Sequence, residues 1–281
     1  MTGEALYEVR GPSALAGDWR RSLDLAVMLA YTDWKLRFFG SVLGYFWSLL
    51  RPLLLFAVLY LVFSQVVDVG GDVKDYPVQL LIGVILFTFW GEVTGGSVTS
   101  VVDREALVRK IAFPRAVIPL SVALGAAFNL FLNLLVLGAF LAIAGVEPQW
   151  TWILVPFPLL VLVLFAVGVS LMLSSLYVSF RDVKPIWEVI LQALFYATPV
   201  IYPIEVLAGK NESLSHVALM NPIATVIQET RHFVLGDDTP SAVDAIGDPA
   251  LLLVPLFIVV GAAIAGYVIF DRLAPRVAER L

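Results

Sequence analysis

Long apolar runs alternate with short charged stretches along the whole chain, which is the pattern that bilayer-spanning helices impose. Each run supplies the roughly 20 residues that a tilted helix needs to cross the hydrocarbon core, although the fifth run is short. The sequence therefore predicts an all-α membrane protein with six transmembrane helices. The predicted spans are residues 43–67, 77–100, 116–144, 152–178, 184–201 and 249–270.

The distribution of basic residues predicts the orientation of these spans. If the N-terminus is cytoplasmic, 15 of the 18 lysines and arginines lie in cytoplasmic segments or at their membrane boundary. Only Lys74, Lys210 and Arg231 then fall outside, as the preference of basic loops for the cytoplasm requires. We therefore expect both termini in the cytoplasm. The predicted parts are an N-terminal region at 1–42, a membrane domain at 43–271 and a tail at 272–281.

Composition excludes several kinds of site. Hydrophobic residues make up 60% of the 281 positions and charged residues 15%, against roughly 25% charged residues in soluble domains. The chain has no cysteine, and its two histidines have no partner at metal-ligand spacing, so no metal site is predicted. It also lacks a phosphate-binding loop of the G-x-x-x-x-G-K-[ST] type and any catalytic set. We expect no enzymatic activity and no cofactor in this chain alone.

An amphipathic segment at 22–39 precedes the first predicted span. Its apolar side chains recur at helical spacing, and Asp33 and Arg37 form an i,i+4 pair on another face. This pattern predicts a helix that lies in the headgroup plane with Trp34 at the interface. An ordinary amphipathic lead-in to the first span, without a mechanical role, is the alternative.

The cytoplasmic loop at 101–115 predicts a short docking helix. Asp103 is a helix-capping residue and Pro114 ends the helix. Leu107, Val108 and Ile111 form an apolar stripe beside basic residues. Exposed apolar residues on a cytoplasmic helix suit docking of a soluble partner. A basic loop that only fixes topology is the alternative.

The segment between the last two predicted spans is too apolar for a solvated loop. Prolines at 199 and 203 break the fifth helix, Asn221 and Pro222 are typical of a helix start, and Gly236 is typical of a helix end. We predict a hairpin at 199–236 that re-enters the outer leaflet, because non-helical backbone at that depth must be buried in protein or line a cavity. An ordinary surface cap is the alternative.

Four polar residues lie inside predicted spans: Glu92, Asn129, Asn133 and Gln192. An acidic side chain near the bilayer centre costs on the order of 3 kcal/mol when it faces lipid. We therefore expect all four to face other helices or water. The adjacent asparagines, one helical turn apart, favour helix packing.

Two groups of aromatic residues also lie inside predicted spans. Phe56, Tyr60 and Phe63 follow one stripe of the first span, and Phe195 and Tyr196 lie late in the fifth. Aromatic faces suit sugar rings, but an aromatic stripe in a membrane helix also serves packing. The residues alone leave both interpretations open.

Five segments, taken in order along the chain, form a familiar set. They are 33–52 (DWKLRFFGSVLGYFWSLLRP), 105–114 (EALVRKIAFP), 181–183 (RDV), 198–203 (TPVIYP) and 219–222 (LMNP). Together they resemble the permease subunit of polysaccharide-exporting ABC transporters, the group that exports O-antigen, capsule, teichoic acid and galactan. Arg51 departs from the family pattern, in which asparagine or another polar residue is commoner.

The resemblance implies a homodimeric channel in the bacterial plasma (inner) membrane that moves a lipid-linked polysaccharide outward. Two separate ATPase subunits would bind ATP and Mg²⁺ and drive transport, and no nucleic acid is implied. The implied ATPase contacts are Arg104, Glu105, Leu107, Arg109, Lys110, Phe113, Arg181 and Asp182. The implied channel lining is Phe56, Tyr60, Phe63, Phe195 and Tyr196. The implied outer gate is Pro199, Tyr202, Pro203, Asn221 and Pro222.

Three other functions remain open at this point. A drug or small-lipid exporter of the same superfamily would have a narrower channel. A membrane-embedded enzyme of lipid metabolism would need a catalytic cluster, which the sequence does not show. A membrane scaffold would have no use for a gate hairpin and a docking helix.

Overall fold

A computed structural model of the chain describes residues 19–37, 44, 46–67, 73–110 and 113–280, without the side chains of Trp19, 109–110 and 274–280. All regular structure in these ranges is helical. The helices are α1 (Trp19–Arg37), α2 (Phe46–Tyr60, continued by a π-helical turn at Leu61–Val66), α3 (Tyr76–Val98), α4 (Ser100–Asp103), α5 (Glu105–Lys110), α6 (Val117–Ala144), α7 (Pro156–Ser179), α8 (Val183–Ala197), α9 (Ile204–Lys210), α10 (Glu212–Leu219), α11 (Pro222–Leu235), α12 (Ala242–Ile246) and α13 (Leu253–Arg280). Short 3-10 turns lie at Trp150–Leu154, Gly236–Asp238 and Pro249–Leu252.

Five helical segments of the described chain are long and apolar enough to cross a membrane. They coincide with the first, second, third, fourth and sixth predicted spans. Their bounds are Phe46–Val66, Tyr76–Val98, Val117–Ala144, Trp150–Ser179 and Pro249–Leu273.

The predicted fifth span, at 184–201, corresponds to the shorter helix α8. This helix has 15 residues and is therefore about 22 Å long, against a hydrocarbon core of about 30 Å. It ends because Thr198 is extended, the conformation that a following proline imposes on its neighbour. The predicted end at residue 201 is therefore four residues too late.

Helix α3 is the core of the subunit. It packs against α2, α6, α7, α8 and α11. Of the residues in its most apolar stretch, 78% are buried. Trp90 stacks on Phe165 of α7 with 4.6 Å between the ring centroids. A helix that is apolar on every side is stable when it is surrounded. By contrast, only 6% of the residues in the most apolar stretch of α2 and its π-helical turn are buried, so α2 lies at the edge of the subunit.

Helices α7 and α13 form the closest helix pair, and two glycines make this approach possible. A Cβ atom on Gly168 would lie 2.8 Å from the carbonyl carbon of Ala262. A Cβ atom on Gly266 would collide with the carbonyl oxygen of Gly168. Small residues at a membrane helix interface let the backbones approach in this way. The last span is thereby fixed to the middle of the subunit.

Helix α1 packs along α6 rather than standing apart from the membrane domain. The small side chains of Ala26 and Ala30 are fully buried in this contact. The sequence predicts a helix at 22–39, and the structure confirms helical conformation over residues 22–37 within α1, whereas Phe38 and Phe39 lie outside the described residues. Its position in the headgroup plane stays a prediction.

Candidate functional site

One short helix, α5, lies inside the predicted docking segment. Helix α4 ends at Asp103, α5 begins at Glu105, and Arg104 between them leaves the helical conformation. Asp103 therefore ends the preceding helix α4, and the prediction that it caps the docking helix is wrong. Ile111 lies outside the described residues, and the side chains of Arg109 and Lys110 are not described.

A small apolar core supports this loop from inside the subunit. Phe113 and Val108, 7% and 8% exposed, pack with Val101 and with α1, α6, α7 and α13. Leu107 is half-buried at the edge of this core, while Asp103 and Ala106 are exposed. The part of the loop that is open to solvent is therefore within residues 103–107, and Phe113, predicted as a contact for a partner, is buried and holds the loop in place.

Arg104 connects the loop to the N-terminal helix. Its guanidinium donates a hydrogen bond to the Asp33 carboxylate of α1, 71 positions away in sequence. The sequence predicts Asp33 to pair with Arg37, and this is wrong because Asp33 is directed toward the loop. The second predicted ATPase contact, at the turn between α7 and α8, is exposed at Arg181 and Asp182.

The neighbouring residue of α1 connects the same helix to the middle of the membrane domain. The Trp34 indole nitrogen donates to Asn129 Oδ1 of α6 over 2.9 Å. Asn129 Nδ2 in turn donates to Glu92 Oε2 of α3 over 2.9 Å. Asn133 Nδ2 donates to the Asn129 carbonyl oxygen over 2.8 Å. The prediction that these residues face other helices is confirmed for Glu92 and Asn129, because a polar chain joins α1, α6 and α3, and for Asn133, whose buried amide also donates to the Ser48 carbonyl of α2 over 3.5 Å.

A cleft opens between α2, α3 and α8 beside this polar chain. Its cavity of about 570 Å³ is lined by aromatic residues on one side and by charged residues on the other. The aromatic and charged residues are Phe87, Phe195, Tyr196, Arg51 and Glu92. A second cavity of about 310 Å³ continues from Arg51 and Glu92 toward Arg37 of α1. Charged groups therefore meet aromatic faces at the edge of the subunit.

The predicted aromatic lining separates into two groups. Phe195 and Tyr196 line the cleft, and their rings lie edge to face at 5.4 Å. Phe56 is buried, with its ring 5.6 Å from that of Phe140 on α6. Tyr60 and Phe63 are half-buried against the same core. The first-span aromatics therefore pack inside the subunit, and the cleft brings together only the two residues of α8.

Phe87 and Arg51 complete the cleft but have no place in the predicted lining. Phe87 packs edge to face on Phe195 with 5.1 Å between the centroids. The signal for the α3 side was present in the sequence, because Thr88, Gly91 and Glu92 follow one face of a helix at spacings of three and four and interrupt an otherwise apolar span.

The outer hairpin is built as the sequence predicts at its helix ends. Asn221 caps α11, because its Oδ1 accepts from the Ile223 amide over 3.0 Å. Its Nδ2 donates to Thr198 Oγ1 over 2.9 Å and so ties α11 to the end of α8. Pro222 is the first residue of α11, and Gly236 ends it with a positive φ of 76°. Pro199 and Pro203 are buried in the turn after α8, and Tyr202 is half-buried there.

Arg231 is the most deeply buried charged residue of the hairpin, at 1% exposure. Its Nε donates to the Gln79 carbonyl of α3 and its Nη2 to the Val200 carbonyl, both over 3.0 Å. The guanidinium therefore holds α11, α3 and the turn after α8 together.

A family model for ABC-2 type transporters matches residues 25–234, which cover α1, the docking loop, the cleft and α11. The chain belongs to the ABC-2 type transporter family. With five apolar helices long enough to cross a bilayer, this ABC-2 protein is a multi-pass membrane protein.

Curated relatives of this ABC-2 chain are bacterial permeases. An "O-antigen export system permease protein RfbA" of Klebsiella pneumoniae is 29% identical over 259 residues, which are 92% of this chain and 95% of the relative. A second such protein of Klebsiella pneumoniae is 30% identical over 74% of this chain and 79% of its own length. One of Myxococcus xanthus is 30% identical over 72% of this chain and 77% of its own length.

Proposed function

We propose that this chain is the membrane subunit of an ABC exporter that moves a lipid-linked polysaccharide from the cytoplasm to the outer side of the bacterial inner membrane. The observation that carries the proposal is the near end-to-end similarity to an O-antigen export permease, which extends over 95% of that protein. The cleft supports it, since aromatic faces suit sugar rings and Glu92 offers an acceptor for sugar hydroxyls.

The energy for export comes from two separate ATPase subunits that bind ATP and Mg²⁺. The chain contains no phosphate-binding loop of its own. The exposed edge of the docking loop at 103–107, together with Arg181 and Asp182, is the surface that we assign to these subunits. The apolar core around Phe113 gives this surface a rigid base.

Movement of the ATPase subunits reaches the cleft through α1. Asp33 accepts a hydrogen bond from Arg104 of the docking loop. The next residue, Trp34, donates to Asn129, which in turn donates to Glu92 of the cleft. Two adjacent residues of one helix thus join the ATPase surface to the substrate cleft. A displacement of α1 along the membrane plane therefore changes both ends together.

Helix α8 and the outer hairpin together complete a sixth crossing. The Val200 carbonyl lies against Gly83, where an added Cβ would approach it to 2.8 Å. Gly83 is seven residues, and therefore about 10 Å, inside the span that begins at Tyr76. The hairpin thus re-enters the outer leaflet, buried in protein as non-helical backbone at that depth must be. Six crossings are an even number, so both termini lie on the same side of the membrane, which the basic residues assign to the cytoplasm.

A second copy of the chain closes the channel. Helices α2 and α8, which border the cleft, expose large apolar residues, and a cleft at the edge of one subunit becomes a pore when two edges face each other. The exposed residues on these helices include Leu54, Val58, Leu61, Ile186 and Val189.

Depletion of the chain tests the proposed function. We expect a lipid-linked polysaccharide to accumulate on the cytoplasmic side, while its synthesis continues and its surface form disappears. Mass spectrometry of the extracted lipid fraction identifies the glycan. Unchanged surface polysaccharide, with accumulation of a small lipid or drug instead, would support the small-substrate exporter and exclude the proposal.

A further inference from the structure

Two arginines from different helices line the same 310 Å³ cavity. Arg37 lies in the last turn of α1 and Arg51 lies near the start of α2. Glu92, Asn129 and Trp47 complete the polar part of the wall. Among the described residues, neither guanidinium has an ion-pair partner within 4 Å.

The charges of this cavity do not cancel. It contains two guanidiniums and one carboxylate, and the carboxylate of Glu92 already accepts a hydrogen bond from Asn129. The expected pairing of Arg37 with Asp33 is not formed, because Asp33 binds Arg104. The cavity therefore presents a net positive charge with hydrogen-bond donors that are available to an anion.

An apolar surface begins where the cationic cavity ends. Leu54 is 51% exposed and Val58 is 60% exposed. They lie three and seven residues after Arg51, on the same face of α2. Leu54 also lines the cavity itself. A molecule held at the arginines would thus meet an apolar strip in one direction and the aromatic cleft in the other.

We propose that Arg37 and Arg51 form a subsite for the phosphate of a lipid, with its apolar tail along Leu54 and Val58. A planar guanidinium donates two parallel hydrogen bonds to phosphate oxygens, and two guanidiniums on one cavity balance the charge of the anion. The assignment of this lipid to the transported carrier rests on the proposed function. Ordinary phospholipid carries the same chemistry, and the experiment separates the two sources.

The test uses the full chain in nanodiscs of zwitterionic phosphatidylcholine, with radiolabelled dodecyl phosphate as the probe. The variants are Arg37→Gln, Arg51→Gln and the double variant. Arg272→Gln is the matched control, because Arg272 is an exposed arginine near the end of the last apolar span, Pro249–Leu273, outside both cavities. Both cavity arginines are exposed as well, so the substitutions leave the core intact, and an unchanged melting temperature verifies this.

Each single variant should weaken probe binding by roughly tenfold, the loss expected for a charge-assisted hydrogen bond. The double variant should lose more, and Arg272→Gln should bind as the parent does. Competition then separates the sources. Displacement by dodecyl phosphate but not by dihexanoylphosphatidylglycerol supports a dedicated carrier, and equal displacement supports a subsite for membrane phospholipid.

Binding of dodecyl phosphate by the double variant with the affinity of the parent would overturn the subsite. This outcome is distinguishable from a failure of the proposed function. If depletion shows that no glycan is exported, a loss of phosphate binding in the variants still supports the subsite. If glycan export is confirmed and the double variant binds normally, the subsite alone is wrong.

Discussion

The outer hairpin and the docking loop at 101–115 both connect apolar helices, but helix α11 of the hairpin is mostly buried whereas the segment 103–107 of the loop is partly open to solvent. Most side chains of α11 are buried against α3 and α7, including that of Arg231. The docking loop leaves Asp103 and Ala106 exposed. The comparison shows that α11 is covered by its own chain, whereas residues 103–107 keep exposed the surface that we propose for the ATPase subunit.

The polar contacts of the hairpin are buried, whereas the contact of the docking loop with α1 is partly exposed. Arg231 binds two carbonyls inside the protein, and the tryptophan at position 152 ties the Val234 carbonyl at the end of α11 over 2.9 Å. The docking loop is joined to α1 by the partly exposed pair of Arg104 with Asp33. A buried network fixes one arrangement, while a partly exposed ion pair can shift at low cost.

Of the three substitutions considered, removal of the Arg231 guanidinium should have the largest effect, because it removes the buried contacts of the outer hairpin. Arg231→Met leaves the buried Val200 carbonyl without its side-chain donor and removes a second donor from the helical Gln79 carbonyl, which costs on the order of 1–3 kcal/mol. We expect a markedly lower melting temperature of the purified chain and a loss of export. Lys74→Met is the control on the same side, because the pair of Lys74 with Asp238 is exposed and such pairs contribute little. Equal melting temperatures for both variants would show that Arg231 does not hold the hairpin.

Leu107→Asp should weaken binding of the ATPase subunit to the docking loop without unfolding the chain. A carboxylate placed in the apolar contact with the ATPase subunit stays unpaired there and weakens binding by several kcal/mol. Co-purification of the ATPase subunit should fall by more than about tenfold, with normal abundance of the variant. Leu214→Asp makes the same change at an exposed position of the outer hairpin and should leave co-purification unchanged. Normal co-purification of the Leu107 variant would remove this edge from the docking surface.

Exchanging the charges of Asp33 and Arg104 should have the smallest effect. Asp33→Arg and Arg104→Asp each place like charges together and should lower the export obtained per ATP hydrolysed, by a few-fold for an energy of about 1 kcal/mol. The double variant restores an opposite pair and should recover much of the coupling. Export and ATP hydrolysis are measured on the same vesicles. A double variant no better than either single one would show that the pair does not transmit the motion.

Periodicity and local stop signals were sufficient for much of this fold. Five spans follow from long apolar runs, and the bounds of α11 follow from Asn221, Pro222 and Gly236. These features are local, since a helix start depends on the residues that form it. The same reasoning recognised that Pro199 breaks the fifth helix but drew the span to residue 201, because apolar residues continue to Ile201, whereas α8 ends at Ala197.

Contacts between residues far apart in the sequence could not be predicted from periodicity and local stop signals. Asp33 has Arg37 one turn away, and only the fold brings Arg104 closer. Arg231 was assigned by charge to the outer side, although it lies on the same helical face as Ile227 and Val234. That spacing was a signal for its burial, but the carbonyls that bind it come from α3 and from the turn after α8.

Transport into inverted membrane vesicles tests the central claim most directly. The vesicles carry the lipid-linked glycan on their outer, originally cytoplasmic, surface, where an added glycosidase digests it. The account predicts that ATP protects the glycan only when the chain and its ATPase subunit are both present, and that Leu107→Asp abolishes this protection. Equal protection without the chain, or with ADP in place of ATP, would contradict the account.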